Sequence, residues 1–581
     1  MLSKRNLGAL AAFVILVVCA CVSAQTQPQV STPASSSTEE PTGGSITGSV
    51  VNESGQPLAG VMLFVRNVNP TAGAGRSATT DSEGSFRVKN LDPALYYVTA
   101  YFPAYVSQPV DPGATTTSYY RVGDSVRIEM VRGAVITGTV TNSAGEPVIG
   151  VRVRAAMIRN AKGEAPRFGI TAYLERTTDD RGIYRLFGLP AGTYLVSAGG
   201  SASAPNFVLN PYDTDAPTYA PSATRDSAAE VTVRAAEETG VDIRYRGESG
   251  HSVSGSVKMT GTTTNASITL TPVGSVIAMA NAAQMPASRG FVFNGIPDGE
   301  YDIVAQEMRS SASPTLPDLL MSEPRRITVK GADVTGLDLV TRPLGSISGR
   351  IVLEPSKASE CQRKRQPLFA EMLVSVQRPE KKDDKETVTY LRILTSSTSP
   401  DANGNFTLRN LMPNRYLLDP RFYARYWYLN SIGTGVTPKI DAAANWTTVK
   451  AGDQLANFTI TLAGGAASIR GRVTAEKGPD VPAGLGVYLV PGEREKVADV
   501  LRYFVASVAA DGTFAFNNLP PGRYLSLLQT LAADTSTLAK LRLPEADDAR
   551  TKLLRAAEAQ KTNVELKPCQ NLTDFQLAAK Q

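Results

Sequence analysis

Residues 46–50 read ITGSV and residues 81–96 read DSEGSFRVKNLDPALY, and this pair of phrases returns along the chain. The first phrase places an apolar residue, a Gly and a second apolar residue at alternating positions. Its copies begin at Ile46, Ile136, Val253, Ile347 and Ile469. The second phrase carries a turn, an aromatic residue and a closing Tyr. The closing tyrosines are Tyr96, Tyr194, Tyr301, Tyr416 and Tyr524.

The spacing of the copies predicts a string of similar small domains. Successive copies begin about 90 to 120 residues apart, which is too long for a solenoid repeat and suits one β domain each. A chain of 581 residues is long enough to bury several separate cores. The predicted domains span 44–132, 133–249, 250–343, 344–466 and 467–581.

Each copy predicts strands joined by tight turns. Apolar residues alternate around Gly48, where a side chain would crowd a neighbouring strand. Asp81 stands where its side chain can cap the backbone amides of a hairpin turn. Two residues before the closing Tyr, four copies have Gly or Asn, among them Asn414, which predicts a left-handed backbone there. In the last copy, apolar residues at helical spacing predict one helix over 544–560.

Together these motifs, Gly-x-Val, Gly-x-Pro, Thr-Asp-x-x-Gly-x-Phe and Leu-Pro-x-Gly-x-Tyr, make the chain resemble the carboxypeptidase regulatory-like domain. The resemblance is strongest in the first, second and fifth copies. It implies an all-β fold, a tandem array of five prealbumin-like (Ig-like) β-sandwich domains with one helix inserted in the last. It also implies an extracytoplasmic protein with a fold often grouped with carbohydrate-binding domains. It does not imply peptidase activity, because in carboxypeptidases this domain is an accessory to a separate catalytic domain.

The N-terminal segment predicts export. Lys4 and Arg5 precede an apolar stretch, and small residues end at Ala24, so residues 1–24 are expected to be a signal peptide. The alternatives are a lipoprotein with its lipid on Cys21, or an uncleaved anchor. Residues 25–43, rich in Ser, Thr and Pro, predict a flexible linker.

Composition argues against several classes of function. A formal net charge of +5 is too balanced to predict nucleic-acid binding. The single histidine, His251, argues against a His-built zinc site or a Ser-His-Asp triad, so we expect no enzyme, no metal site and no cofactor. Asp81, Asp179 and Asp401 share one turn position. A calcium loop is the alternative there, but a calcium site needs six or more oxygens, which favours capped hairpins.

The fourth copy contains the best ligand candidate, because its aromatic and arginine residues are not repeated elsewhere. They are Arg421, Tyr423, Arg425 and Trp427, with Trp446 following in the same domain. Rings beside hydrogen-bonding groups suit sugar faces or a protein partner, whereas strand alternation would bury about half of them in the core. The repeated tyrosines have two interpretations as well. They are sugar platforms or, as we favour, packing residues whose hydroxyls bind backbone, as in a tyrosine corner.

A disulfide between Cys361 and Cys569 is predicted from the repeat topology. These are the cysteines that remain after cleavage at Ala24, and an exported protein oxidises such a pair. Cys569 aligns with the turn before the last strand of the fifth domain, which faces the fourth. Cys361 follows the first strand of the fourth domain, on the side that faces the fifth. The alternative is two separately buried free thiols.

These observations lead to one functional hypothesis and one rival. The first is a non-enzymatic binding or scaffold protein of the cell envelope, a monomer with carbohydrate as its favoured ligand. It would reside in the periplasm, outside the cell or on its surface. The rival is a structural or adhesive stalk that engages an envelope protein. Because almost no linker separates the domains, we also expect an extended, semi-rigid array.

Overall fold

The computed structural model describes most of the chain after the predicted linker. The described residues are 44–69, 75–107, 119–164, 173–200, 210–261, 265–273, 275, 280–283, 290–307, 319–362, 364–379, 397–435, 441–475, 484–531 and 541–579. The predicted signal peptide, the linker and Cys21 lie outside them.

The first domain shows the plan that the others repeat. Its first strand pairs antiparallel with the fourth and parallel with the last, and alternation turns Ile46 and Val50 inward, where both are fully buried. The two facing sheets have the strand orders β4-β1-β8-β6 and β3-β2-β5-β7. The strands are β1 (Gly44–Asn52), β2 (Met62–Asn67), β3 (Arg76–Thr79), β4 (Ser85–Leu91), β5 (Leu95–Tyr101), β6 (Tyr105–Ser107), β7 (Tyr120–Arg121) and β8 (Ser125–Arg132).

The second domain keeps this plan. Its sheets have the orders β12-β9-β16, with β17 also on β9, and β11-β10-β13-β14, with β15 also on β13. The strands are β9 (Ala134–Thr141), β10 (Arg152–Asn160), β11 (Tyr173–Thr177), β12 (Ile183–Leu189), β13 (Gly192–Ala198), β14 (Thr218–Tyr219), β15 (Val231–Val233), β16 (Glu238–Gly240) and β17 (Ile243–Arg244).

In the third domain a short strand joins the two sheets. This strand, β23, pairs with strands of both, so the order runs β20-β19-β22-β23-β25-β18-β21, with β24 also on β22. The strands are β18 (His251–Lys258), β19 (Ala266–Pro272), β20 (Ala280–Ala283), β21 (Gly290–Ile296), β22 (Gly299–Glu307), β23 (Leu320–Ser322), β24 (Arg325–Val329) and β25 (Val334–Pro343).

The fourth domain has sheets of order β29-β26-β33-β31 and β28-β27-β30-β32. Its strands are β26 (Gly345–Glu354), β27 (Met372–Gln377), β28 (Ser397–Thr398), β29 (Asn405–Leu411), β30 (Asn414–Phe422), β31 (Trp427–Thr434), β32 (Thr447–Val449) and β33 (Gln454–Gly464).

The fifth domain has sheets of order β37-β34-β40 and β36-β35-β38-β39. Its elements are β34 (Ala467–Ala475), β35 (Leu485–Pro491), β36 (Phe504–Ser507), β37 (Thr513–Leu519), β38 (Gly522–Thr530), the helix α1 (Asp547–Gln560), β39 (Thr562–Leu566) and β40 (Asn571–Ala579). Short 3-10 turns occur at Pro211–Thr214, Arg225–Ser227, Ser359–Cys361, Phe369–Glu371, Arg494–Lys496, Val500–Arg502 and Pro544–Ala546.

This architecture confirms the predicted all-β array of sandwiches with one helix inserted in the last. The helix spans Asp547–Gln560, and the first three residues of the predicted range, Pro544–Ala546, form a 3-10 turn ahead of it. Among the residues that the structure describes, no helix combines the length and the apolar character that crossing a membrane requires.

The glycine of the first phrase lies directly beneath a neighbouring strand, as predicted. A Cβ added at Gly48 would lie 2.1 Å from the carbonyl oxygen of Val126 in the parallel strand β8. At Gly138 the same atom would lie 1.9 Å from the carbonyl oxygen of Val241. Because a Cβ cannot approach a backbone oxygen so closely, only Gly allows this strand pairing.

The positive φ predicted two residues before the closing Tyr occurs in two copies. Gly299 and Gly522 have φ of 156° and 138°, whereas Asn414 has no positive φ and begins β30. In every copy a left-handed residue lies four positions earlier, just before the closing Leu or Ile. These residues are Asn90, Gly188, Gly295, Asn410 and Asn518, with φ between 57° and 77°. Each coincides with a shift of register against the first strand of its domain, so Gly or Asn is required by a β-bulge.

Candidate functional site

The predicted ligand surface of the fourth domain does not form one surface. Trp427 opens β31 and turns into the core of its own sandwich, where only 4% of the side chain is exposed. Its ring is not available to a ligand, so Trp427 is removed from the predicted ligand-binding set. Alternation along β31 turns the Trp427 ring toward the core, as the core-packing interpretation of the aromatic stretch predicted for about half of its residues.

Two other members of the predicted set make ordered contacts within the protein. Arg421 forms a hydrogen-bonded ion pair with Asp419, at 3.1 Å from Nε and 3.0 Å from Nη2. The backbone oxygen of Tyr423 accepts a hydrogen bond from Nη1 of Arg121 at 3.3 Å, and the Arg121 guanidinium lies 5.9 Å from the Tyr423 ring centroid. Arg121 belongs to the first domain. An extended array would not bring the first and fourth domains together, so that prediction is wrong.

Trp446 joins the fourth domain to the fifth. Its indole N–H donates to Oε1 of Glu545 at 2.6 Å, and the guanidinium of Arg415 lies 5.5 Å from its ring centroid. Val500 and Leu501, from a turn of the fifth domain, pack into the hydrophobic core of the fourth. The two domains therefore share apolar packing as well as polar contacts.

The disulfide between Cys361 and Cys569 is confirmed, and it crosses this same junction. The two Cα atoms are 5.5 Å apart. Cys361 ends a 3-10 turn after β26, and Cys569 lies in the hairpin between β39 and β40. The hairpin faces the fourth domain because β40 runs parallel to β34, which is the first strand after the junction.

Backbone hydrogen bonds reinforce the junction around the disulfide. The carbonyl oxygen of Tyr426 accepts from the amides of Gly465 and Ala466, the two residues that link β33 to β34. The carbonyl of Gly465 in turn accepts from the amide of Cys569 at 2.9 Å. Gly465 is thus held by both domains, which restricts hinge motion between them.

A polar pocket of about 270 Å³ opens at this junction. Arg425, the exposed member of the predicted set, contributes one wall. The side chains that give the pocket its polar character are Arg425, Tyr426, Ser468, Arg470, Asn517, Asn518, Asn571 and Thr573. Among the described residues that line the pocket, none is Asp or Glu, so its charged groups are both cationic. We call this site the junction pocket.

A hydrogen-bond chain orients one side of the junction pocket. Ser468 Oγ donates to Oδ1 of Asn571 at 2.8 Å, and Nδ2 of Asn571 donates to the Tyr426 hydroxyl at 3.1 Å. This hydrogen bond lowers the pKa of Tyr426, and the nearby charges of Lys364 and Arg425 lower it further. The pocket therefore presents fixed donors in a positive field.

The five repeated tyrosines are structural, as we favoured. Each hydroxyl donates to a backbone oxygen four residues earlier, over distances from 2.6 to 2.9 Å. The acceptors are Asp92, Pro190, Pro297, Met412 and Pro520. Burial raises the pKa of Tyr96, Tyr194, Tyr301 and Tyr524. These rings lock the closing turn against the core and offer no sugar platform.

The repeated aspartates cap their hairpins. Oδ1 of Asp401 accepts from the backbone amides of Asn403 and Asn405, both at 2.8 Å, and Asp81 and Asp179 make the equivalent pairs of bonds. Hydrogen bonds to the carboxylate lower the pKa of Asp179 and Asp401. Within the parts of the chain that the structure describes, no three His, Cys, Asp or Glu side chains converge as a metal-binding group.

The structure adds pocket residues that the sequence reasoning missed. Arg470, Asn517, Asn518, Asn571 and Thr573 all belong to the fifth domain. No local motif distinguishes them from other exposed polar residues. Their grouping follows from the hairpin that carries Cys569, whose orientation toward the fourth domain was the one signal that pointed to this junction.

A family model supports the resemblance. Residues 45–120 match the carboxypeptidase regulatory-like domain. This match covers most of the first domain but not its last strand, and in each later domain the first strand again lies between an antiparallel and a parallel neighbour. No curated protein sequence matches the chain.

Several solved structures are also similar to parts of this chain. The Bacillus anthracis TIE protein is 14% identical over 52% of this chain and about half of its own length, 51%, with a TM-score of 0.13. Shaft pilin SpaA from Lactobacillus rhamnosus GG is 12% identical over 35% of this chain and 98% of its own, with a TM-score of 0.17. The Streptococcus agalactiae minor pilin GBS52 is 14% identical over 35% and 96%, with a TM-score of 0.19. Likenesses at these TM-scores carry no functional argument.

Proposed function

We propose that this chain is a non-enzymatic, exported scaffold of the cell envelope, a monomer that binds carbohydrate at the junction pocket. One observation carries the proposal. The pocket is built from two domains that a disulfide, shared apolar packing and backbone hydrogen bonds hold in one arrangement. A site assembled this way binds without losing the conformational entropy that ordering a flexible site would require.

The chemistry of the lining favours sugar, and specifically an acidic one. Carboxamides, hydroxyls and guanidinium groups supply many hydrogen bonds to sugar hydroxyls. Arg425 and Arg470 add planar donor pairs that match a carboxylate, with no acidic side chain among the described lining residues to compete for them. A volume near 270 Å³ lies just under the roughly 300 Å³ typical of small-molecule sites, which suits one terminal sugar.

A glycan array tests this proposal. We expect the chain without residues 1–24 to bind acidic glycans selectively. Arg425→Ala and Arg470→Ala should each weaken binding about tenfold, as the loss of one charged hydrogen bond predicts. Arg472→Ala is the matched control, because Arg472 is exposed on β34, the strand of Arg470, but does not line the pocket. Equal binding by Arg425→Ala and the unmodified chain would refute the proposed site.

A structural or adhesive stalk that engages an envelope protein is the second candidate. It is favoured by the short connections between domains, since a single residue separates β8 from β9 and β25 from β26. Such connections transmit force and orientation along a chain. If the folded protein binds no glycan on the array, the result would argue against carbohydrate binding and in favour of the stalk.

A further inference from the structure

A second cleft lies between the third and fourth domains, with a volume of about 630 Å³. One wall is the outer face of the sheet that contains β19 and β22, where Thr269, Thr271 and Val304 point away from the core of the third domain. The opposite wall is the turn Met412–Asn414 of the fourth domain. We call this site the interdomain cleft.

Burial along β22 shows that this outer face is unusual. Asp302 and Val304 alternate with core residues and would face solvent in an isolated sandwich, yet they are only 6% and 5% exposed. Val304 packs with Met321, Leu319 and Leu344 in a small cluster of its own. Leu319 and Met321 of the third domain and Leu344, which connects it to the fourth, therefore cover part of this face, and the interdomain cleft is the part left open.

Hydrogen bonds fix the two walls relative to each other. Oδ1 of Asn410, the bulge residue of the fourth domain, accepts from the backbone amide of Leu319 in the third at 2.8 Å. The Leu319 carbonyl accepts from the amide of Leu344, the residue that connects the two domains. Asn410 is 8% exposed, so this bond is shielded from water. The cleft is thus a preformed feature.

The lining combines aliphatic groups with an excess of positive charge. Val304, Met321 and Met412 line it together with several prolines, and its described lining includes no aromatic ring. Arg326 is neutralised by Asp302, through bonds of 3.0 and 3.2 Å. Three further charged residues line the cleft, and two of them are cationic. They are Arg342, Arg378 and Glu323.

We propose that the interdomain cleft binds a short segment of a partner protein in which aliphatic side chains stand beside carboxylates. Methionine side chains adapt to different aliphatic shapes, and arginine pairs with carboxylates. A sugar would lack the flat aromatic partner on which its apolar face packs. A basic segment would be repelled by Arg342. This site is separate from the junction pocket and takes a different class of ligand.

Fluorescence anisotropy with a labelled peptide of alternating Glu and Leu tests the proposal. We expect saturable binding to the full exported chain and no comparable binding of the matched Lys and Leu peptide. Arg342→Glu should weaken binding at least tenfold, because it turns attraction into repulsion at the rim. Met412→Gln should weaken it as well, since it keeps the volume of the side chain and removes its apolar character.

Arg325→Glu is the matched control, because Arg325 is exposed on the same strand as Arg326 and does not line the cleft. Circular dichroism melting curves would confirm that each variant is folded. Equal affinity of Arg342→Glu and the unmodified chain, equal binding of both peptides, or no binding of the Glu and Leu peptide would each overturn the proposal. Glycan binding at the junction pocket should be unchanged in all these variants.

Discussion

Tyr416 and Trp427 lie in the same domain, and both are buried, but only one of them could be assigned from the repeat. Tyr416 recurs in every copy, and its hydroxyl binds the backbone oxygen of Met412 at 2.6 Å. Trp427 occurs once, and its side chain fills the core of the fourth domain with 4% exposure. The occurrence of a residue in only one copy of the repeat is therefore not sufficient evidence that it contacts a ligand.

Replacing Trp427 tests its structural role. Trp427→Ala should lower the free energy of unfolding by about 3 to 5 kcal/mol, because it removes a large buried ring and leaves a cavity. Trp446 is then the one tryptophan left in the chain, so its fluorescence during urea unfolding reports on the junction of the fourth and fifth domains.

Trp446→Phe is the comparison for this measurement. It keeps a ring beside Arg415 and loses the hydrogen bond to Glu545, so a smaller loss of about 1 kcal/mol is expected. Circular dichroism must follow this variant together with fluorescence. A Trp427→Ala protein as stable as the unmodified chain would place the ring outside the core.

At the scale of elements, the hairpin between β39 and β40 decides the geometry of the junction. Its turn carries Cys569 to the fourth domain, where Cys361 ends the turn that follows β26. The linker residues Gly465 and Ala466 are held by Tyr426 of the fourth domain. Strand direction, rather than any contact within one domain, brings these groups together.

Removing the disulfide should loosen the last two domains. The bond joins residues 208 positions apart, and closing such a loop contributes about 5 kcal/mol in the chain-entropy account. Cys361→Ser combined with Cys569→Ser should therefore lower the melting temperature of the transition that tryptophan fluorescence follows, because Trp427 and Trp446 both lie in the fourth domain.

Calorimetry of the same variant supplies the control. The transition of the first domain should not move, because that domain lies outside the loop closed by the bond. An unchanged transition in tryptophan fluorescence would show that shared packing, including that of Val500 and Leu501, holds the two domains without the disulfide.

On the scale of the whole molecule, contacts are not limited to consecutive domains. Arg121 of the first domain donates to Tyr423 of the fourth, and its own carboxylate partner is Asp124, with Arg121 Nη2 to Asp124 Oδ1 at 3.6 Å. Burial raises the pKa of Tyr423, whose ring lies near both residues. Tyr423, one of the residues predicted to bind a ligand, instead joins distant parts of the chain.

Arg121→Ala should weaken this contact between the first and fourth domains. We expect faster amide hydrogen exchange around Tyr423 in the variant, because the segment loses a donor and a covering side chain. Arg127→Ala is the control, since Arg127 is exposed on β8 and, among the described residues, makes no side-chain hydrogen bond or ion pair with the fourth domain. The same exchange rate in Arg121→Ala and the unmodified chain would contradict a stable contact.

Local patterns in the sequence were sufficient for the repeat, the tyrosine and aspartate caps and the late helix, because alternation and turn chemistry are determined by a short stretch of chain. The sandwich fold followed from the family that the repeated motifs resemble, and the disulfide followed from the strand order of the repeat. In the fourth copy the left-handed residue was misplaced because Asn410 and Asn414 have the same tolerance for left-handed backbone, and only pairing with β26 distinguishes them. Only the tertiary structure decided which residues of the aromatic stretch are buried. It alone also decided which residues form the junction pocket and the interdomain cleft. Their residues come from different domains, and which surfaces meet depends on packing between domains that no local pattern encodes.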